Sequence, residues 1–284
     1  MNHEIMDRRH QETHGGIDRR CFFERMGQMV GGTTATFALL PLLGSVNPQA
    51  PTVPNGQDLF WGPLDYDAEG VKISGYRARP KAAGKRPAVI VIHENRGLNP
   101  HIEDVTRRVA LEGFFALAPD MLSPLGGTPA DETQATKLIG SLKLEETVAR
   151  LAAAVKFLAT HAETTGKVGV VGFCWGGGMV NSLAAAGTTL NAGVAYYGRQ
   201  IPAADVPKIT APLLLHYAGN DQRINAGIAD FEGALKANKK VYELYVYEGA
   251  EHAFNNNTNA ARYNKAAAEL AWSRTIGWFK KYLS

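Results

Sequence analysis

Three short stretches each carry one side chain able to take part in covalent chemistry. Residues 172–176 read Gly-Phe-Cys-Trp-Gly, residues 218–224 carry Asp221, and residues 248–254 carry His252. A thiol beside an imidazole that is oriented by a carboxylate is an arrangement for attack on a carbonyl carbon. The order along the chain is nucleophile, acid, histidine. Cys174 stands in a Gly-x-Cys-x-Gly frame, the nucleophile elbow with cysteine in place of serine. A sharp turn from strand to helix crowds its neighbours, and Gly172 and Gly176 remove the Cβ atoms that would collide. A helix beginning at Trp175 directs its N-terminus at the thiol, which favours the thiolate, and the Trp175 backbone N–H is one donor for a developing oxyanion. Each residue alone has a plainer reading. Cys174 can be a small buried residue in a tight turn, His252 a loop histidine bonded to backbone, and Asp221 a helix cap. The three together, each just past a strand, point to a triad.

These strands follow from the pattern of apolar residues. Residues 87–93 and 114–120 are short continuous apolar runs, as expected of strands buried on both faces. Further strands are expected at 71–80 (an edge strand), 167–172, 192–198, 212–221 and 241–252. Helices are expected at 100–113, 144–162, 175–187, 225–238 and 259–282, with a loop and a short helix over 121–143. Strands alternating with helices of ten or more residues predict an α/β fold, a mostly parallel sheet with helices on both faces. Ligands in such sheets bind at the carboxyl ends of the strands, where the three residues fall.

The first fifty residues are of another kind. Arg19 and Arg20 are followed by Phe22 and Phe23 and then a moderately apolar run from Met26 to Val46, interrupted by Gly, Thr and Pro41. This resembles a twin-arginine export signal, and its interruptions make it a poor permanent span. Residues 1–50 are therefore expected to be a signal and leader, with Ala50 a plausible last residue, and residues 51–284 a single catalytic domain in the periplasm or otherwise outside the cytoplasm. The partners implied are the twin-arginine export machinery and a small-molecule substrate, with no stable membrane anchor. A net charge of +3 without a Lys/Arg block gives no indication of nucleic acid. Cys21 leaves with the signal, so the mature chain keeps one thiol and no internal disulfide.

Several blocks in order carry a specific resemblance: VIVIHENRG (89–97), GFFALAPD (113–120), KVGVVGFCWGGG (167–178), AYYG (195–198), HYAGNDQRI (216–224) and EHAF (251–254). The sequence resembles the dienelactone hydrolase family, the carboxymethylenebutenolidase branch of the α/β-hydrolase fold, over about residues 59 to 283. The resemblance implies Cys174 as nucleophile, His252 as base and then acid, and Asp221 as the residue orienting His252. It implies that Glu94 holds the resting thiol and that the backbone N–H of Asn95 is the second oxyanion donor; from its residue type alone, Glu94 reads as a surface carboxylate. It implies an ester or lactone substrate, no cofactor and no metal. Tyr197, Phe254 and Asn256 are expected at the substrate pocket. Where members of the family hold a substrate carboxylate with two arginines, this chain has Asn256 and, in the best register, Glu132, with Thr136 in place of a tyrosine. Arg96, Arg199 and Arg223 lie near the strand ends and read first as solvated loop arginines. A lone activated cysteine also admits a thiol-based redox protein, and the fold admits a non-catalytic ligand-binding member.

Overall fold

The computed structural model describes residues 58–284. The expected signal and leader lie outside the described residues. The described residues form ten strands: β1 (Leu59–Pro63), β2 (Tyr66–Ala68), β3 (Val71–Ile73), β4 (Gly75–Pro80), β5 (Arg86–Ile92), β6 (Phe115–Pro119), β7 (Thr164–Phe173), β8 (Ala192–Tyr196), β9 (Leu213–Ala218) and β10 (Tyr242–Tyr247). Among the described residues seven α-helices join them: α1 (Pro100–Leu111), α2 (Glu132–Ser141), α3 (Leu144–Thr160), α4 (Trp175–Ala184), α5 (Gln222–Asn225), α6 (Ile228–Ala237) and α7 (Lys265–Tyr282).

Eight strands form one sheet in the order β1-β4-β6-β5-β7-β8-β9-β10. The run from β6 to β10 is parallel, and β4 and β1 add to it in antiparallel sense. Side chains alternate between two cores, as the two-residue period of a strand requires. Val89 and Val91 of β5 join Ile102, Val105 and Val109 of α1 and Phe279 of α7. Ala88, Ile90 and Ile92 of the same strand join Leu151 and Val155 of α3, Val180 of α4 and Phe231 of α6. Helices cover both faces, which explains why the central strands are apolar throughout. The expected α/β-hydrolase fold is the one observed.

The chain runs from β5 to one side, into β6, and then returns to the other side through β7. The order in which strands are added therefore reverses between the parallel neighbours β5 and β7. A crevice opens at the carboxyl ends of strands around such a switch, and Glu94 and Cys174 follow those two strands.

Several expectations change: the last strand ends at Tyr247 rather than 252, and the last helix begins at Lys265 rather than 259. The edge strand over 71–80 is broken at Ser74 into β3 and β4, and β4 lies one place in from the edge because β1 pairs outside it. The helix expected over 225–238 begins at Ile228 as α6, and a separate short helix, α5, precedes it, its bonding ending at Ala226 and Gly227.

Candidate active site

Cys174 adopts φ 54° and ψ −113° between β7 and α4. A non-glycine residue in this region is strained by about 1–3 kcal/mol and persists only where its surroundings over-determine it. Two glycines make those surroundings possible. A Cβ on Gly172 would lie 2.2 Å from the Gly176 carbonyl oxygen, and one on Gly176 would lie 2.5 Å from the carbonyl oxygens of both Ile92 and His93. The start of α4 is thus pressed against the end of β5, and the Cys174 backbone N–H donates to the Tyr196 carbonyl at 3.0 Å.

The three side chains singled out by their order converge. His252 Nε2 lies 3.0 Å from Cys174 Sγ. On its other side, His252 Nδ1 is bonded to Asp221 Oδ2. Asp221 is buried, and its second oxygen accepts from the Ile224 N–H at 3.3 Å. The carboxylate therefore caps α5 and holds the imidazole at once, so both readings of Asp221 apply. With Nδ1–H given to the carboxylate, Nε2 is left to accept the thiol proton. Ala253, directly after His252, has φ 70°, and Tyr197 after β8 has φ 40°. The Tyr197 ring packs 5.0 Å from the His252 ring. Strained backbone is thus concentrated at three of the loops that meet at the thiol.

The thiol is pushed up to about 11, chiefly by burial and next by the Glu94 charge. The N–H of Trp175 and the charge of Arg223 pull the other way. The Trp175 N–H at the helix start favours the thiolate as expected, but loss of hydration outweighs it.

Glu94 is buried after β5, and burial raises its carboxyl; the hydrogen bond from Asn256 and the charges of Arg96 and Arg262 oppose this. Asn256 Nδ2 donates to Glu94 Oε2 at 2.8 Å. The expectation that Glu94 holds the resting thiol is corrected, because its bonded partner is Asn256 and the sulfur faces His252. Arg96 pairs with Glu132 at 2.9 Å, so this arginine is already engaged. Among the described residues no group of three or more His, Cys, Asp or Glu could hold a metal ion.

A cavity of about 1280 Å³ opens on Cys174, Trp175, Asn95, Tyr197 and His252. It runs between α3 and α4, where small side chains such as Ala149 and Ala152 leave room, and reaches Met179 and Phe231. Arg199 and Arg223 line it, as do Glu145 and Asp230, so its charge is mixed. Tyr197 is at the cavity as expected. Phe254 and Asn256 are not: both are buried, Phe254 packed on the rings of Tyr197 and Tyr247 and Asn256 held by Glu94. The turn at Ala253 carries the chain inward, away from the cavity wall. The contribution of α3 was missed, because its pattern shows only an amphipathic helix.

The fold is shared with known proteins of one family. The profile of the dienelactone hydrolase family matches residues 73–283. A protein of Escherichia coli (strain K12) described as a "Putative carboxymethylenebutenolidase" is 32% identical over 256 residues, covering 84% of this chain and 94% of the relative. A protein of Bradyrhizobium sp described as a "Probable 2-oxo-3-(5-oxofuran-2-ylidene)propanoate lactonase" is 32% identical over 236 residues, covering 78% and 94%. Among solved structures, a "Putative Dienelactone Hydrolase" from Klebsiella pneumoniae superposes with a TM-score of 0.73 at 30% identity, covering 79% of this chain and 99% of that one. The chain belongs to the dienelactone hydrolase family of ester- and lactone-cleaving α/β-hydrolases.

Proposed function

We propose that this hydrolase cleaves its ester or lactone through an acyl-thioester on Cys174. The observation that carries the reading is the hydrogen-bonded chain from Asp221 through His252 to a sulfur that lines a large cavity. His252 Nε2 takes the thiol proton as the sulfur attacks the carbonyl carbon. The negative charge moves to the carbonyl oxygen, which the backbone N–H groups of Asn95 and Trp175 receive. Collapse breaks the bond to the leaving oxygen, which takes the proton from His252. Water, losing its proton to His252, then attacks the thioester, releases the acid and restores the thiol. A thiol that rests protonated is consistent with this sequence, because the proton moves only once a carbonyl is in place.

The substrate we infer is an ester or lactone with no obligatory carboxylate. Asn256 and Glu132 stand where a carboxylate clamp would be expected, and they engage Glu94 and Arg96. The cavity also exceeds the usual small-ligand range of roughly 300–1,000 Å³, which suits a larger group than a compact lactone. A panel of matched neutral and anionic esters and lactones tests both points. Turnover confined to anionic substrates would refute the substrate class, and turnover surviving in Cys174→Ala would refute the nucleophile.

We also infer export through the twin-arginine route, on the Arg19–Arg20 pair and the apolar run after it. Changing both arginines to lysine should leave the protein in the cytoplasm on cell fractionation. Undiminished mature protein in the periplasm would defeat the inference.

A further inference from the structure

One buried group beside the site has no part in the proton transfers above. His93, the residue between β5 and Glu94, is wholly enclosed. Its Nε2 receives the Met121 backbone N–H at 3.3 Å, and its Nδ1 lies 2.7 Å from the Glu94 carbonyl oxygen. An amide can only donate and a carbonyl can only accept, so the partners fix the ring as neutral, with its proton on Nδ1. Its face stacks on the Trp175 indole, 5.2 Å between centroids and 10° from parallel.

We propose that His93 is a positioning residue that sets both oxyanion donors, resting on the acyl-transfer reading above. The first link is the peptide plane. The Glu94 carbonyl and the Asn95 N–H belong to one planar unit and point in opposite directions. An imidazole that holds the carbonyl oxygen therefore fixes where the Asn95 N–H points. Gly97 N–H also donates to that oxygen, at 3.4 Å, from within the same loop. The second link is the stack on Trp175, whose own backbone N–H is the other donor, at the first turn of α4, where amides have no partner within the helix. The third is the contact at Gly176, whose missing Cβ brings α4 against the carbonyl oxygens of Ile92 and His93. The imidazole is itself braced. Met121 follows Asp120, whose carboxylate accepts from the N–H groups of Leu122 at 2.9 Å and Thr128 at 2.7 Å. One enclosed ring thus joins the loop after β6 to the two segments that supply the donors.

The test separates attack on a carbonyl from attack on a saturated carbon. Acylation of the full chain by 4-nitrophenyl acetate develops an oxyanion, whereas alkylation by iodoacetamide does not. His93→Leu should slow acylation by about 100-fold, the cost of an oxyanion donor misplaced or lost. It should leave alkylation within about threefold and KM little changed, because the donors act on the transition state. His93→Asn places an amide N–H where Nδ1–H stood and should restore acylation to within about tenfold of wild type. His93→Gln reaches instead toward the Nε2 position and should not. Should His93→Leu fail to fold, the Asn and Gln variants carry the test alone. Equal loss of acylation and alkylation would overturn the proposal, as would better rescue by Gln than by Asn. A wild-type chain that alkylates but is never acylated would remove the acyl-transfer reading itself, whatever the His93 variants do.

Discussion

Two histidines sit in hydrogen-bonded chains at the parallel half of the sheet, and their surroundings differ. His252 joins a buried carboxylate to a sulfur that lines a cavity. His216, inside β9, lies 2.9 Å from Tyr247 Oη through Nδ1 and 3.2 Å from Thr275 Oγ1 through Nε2. Tyr196 Oη extends this second chain to Thr275 at 2.7 Å, and Arg274 donates to Tyr247 Oη at 3.0 Å. Every partner of His216 is a hydroxyl, and the imidazole has no exposure, against 18% for the His252 side chain. Burial and then the Arg274 charge push His216 down to about 3. A histidine relay of this kind does chemistry only where it starts at a carboxylate that steadies the imidazolium and ends at a reactive atom that substrate can reach. The chain through His216 meets neither condition and serves to satisfy polar groups between the sheet and α7.

The largest test of this contrast is on turnover. Cys174→Ser and His252→Ala should each lower kcat/KM by at least about 1,000-fold, and Asp221→Asn by a similar factor through the wrong imidazole tautomer. His216→Leu should keep kcat/KM within about tenfold of wild type. Comparable losses at both histidines would end the distinction drawn here.

Stability should rank them the other way. His216→Leu leaves the Tyr247 and Thr275 hydroxyls with fewer partners in an enclosed space and should cost about 1–3 kcal/mol in urea unfolding. His252→Ala, at the edge of the cavity, should cost less.

A third test uses pH. Burial holds His216 at about 3 and His101 at about 4 in the folded chain. Unfolded histidines titrate near 6.5, so below that value the unfolded chain binds more protons and stability falls as pH drops. Each of these two histidines should reduce the folding constant by up to about tenfold per pH unit between about pH 6 and pH 4. The His216→Leu variant should show a shallower fall over that window, read by urea unfolding at pH 6.5, 5.5 and 4.5.

The smallest effect concerns the resting thiol. With Cys174 held up to about 11, iodoacetamide should react more slowly than with free cysteine at pH 8. The rate should keep rising to pH 10, where free cysteine has levelled off. A rate plateau already present at pH 6 would instead indicate a stable thiolate–imidazolium pair.

What the amino-acid pattern reveals follows from how far each cause reaches along the chain. The runs at 87–93 and 167–172 are legible because enclosure on both faces leaves no alternation to misread. The Cys174 turn is legible because its two glycines lie within five residues. β1 and β2 escape notice because five and three residues, part of them exposed, carry too little pattern. The bond between Glu94 and Asn256 joins residues 162 apart, and only the fold brings them together. Phe254 was misplaced for a related reason: residue type marks it as apolar, and only the left-handed Ala253 shows that it turns into the core. The balance at the thiol is not legible because a helix end shows in the local pattern and the depth of burial does not.

The position of β10 has a consequence for how this protein fails. His252 follows the outermost strand of the sheet, one side of which has no neighbouring strand among the described residues. Its loop is tied to the body by the Gly219 N–H to the Tyr247 carbonyl at 2.8 Å, the Asn220 N–H to the Ala250 carbonyl at 3.0 Å, and Asn220 Nδ2 to Glu251 at 2.8 Å. The nucleophile comes from the middle of the sheet and the base from its margin. Margins fray at lower free energies than centres. Inactivation by mild denaturant should therefore precede loss of the fold, with the sulfur still in place and its proton acceptor gone.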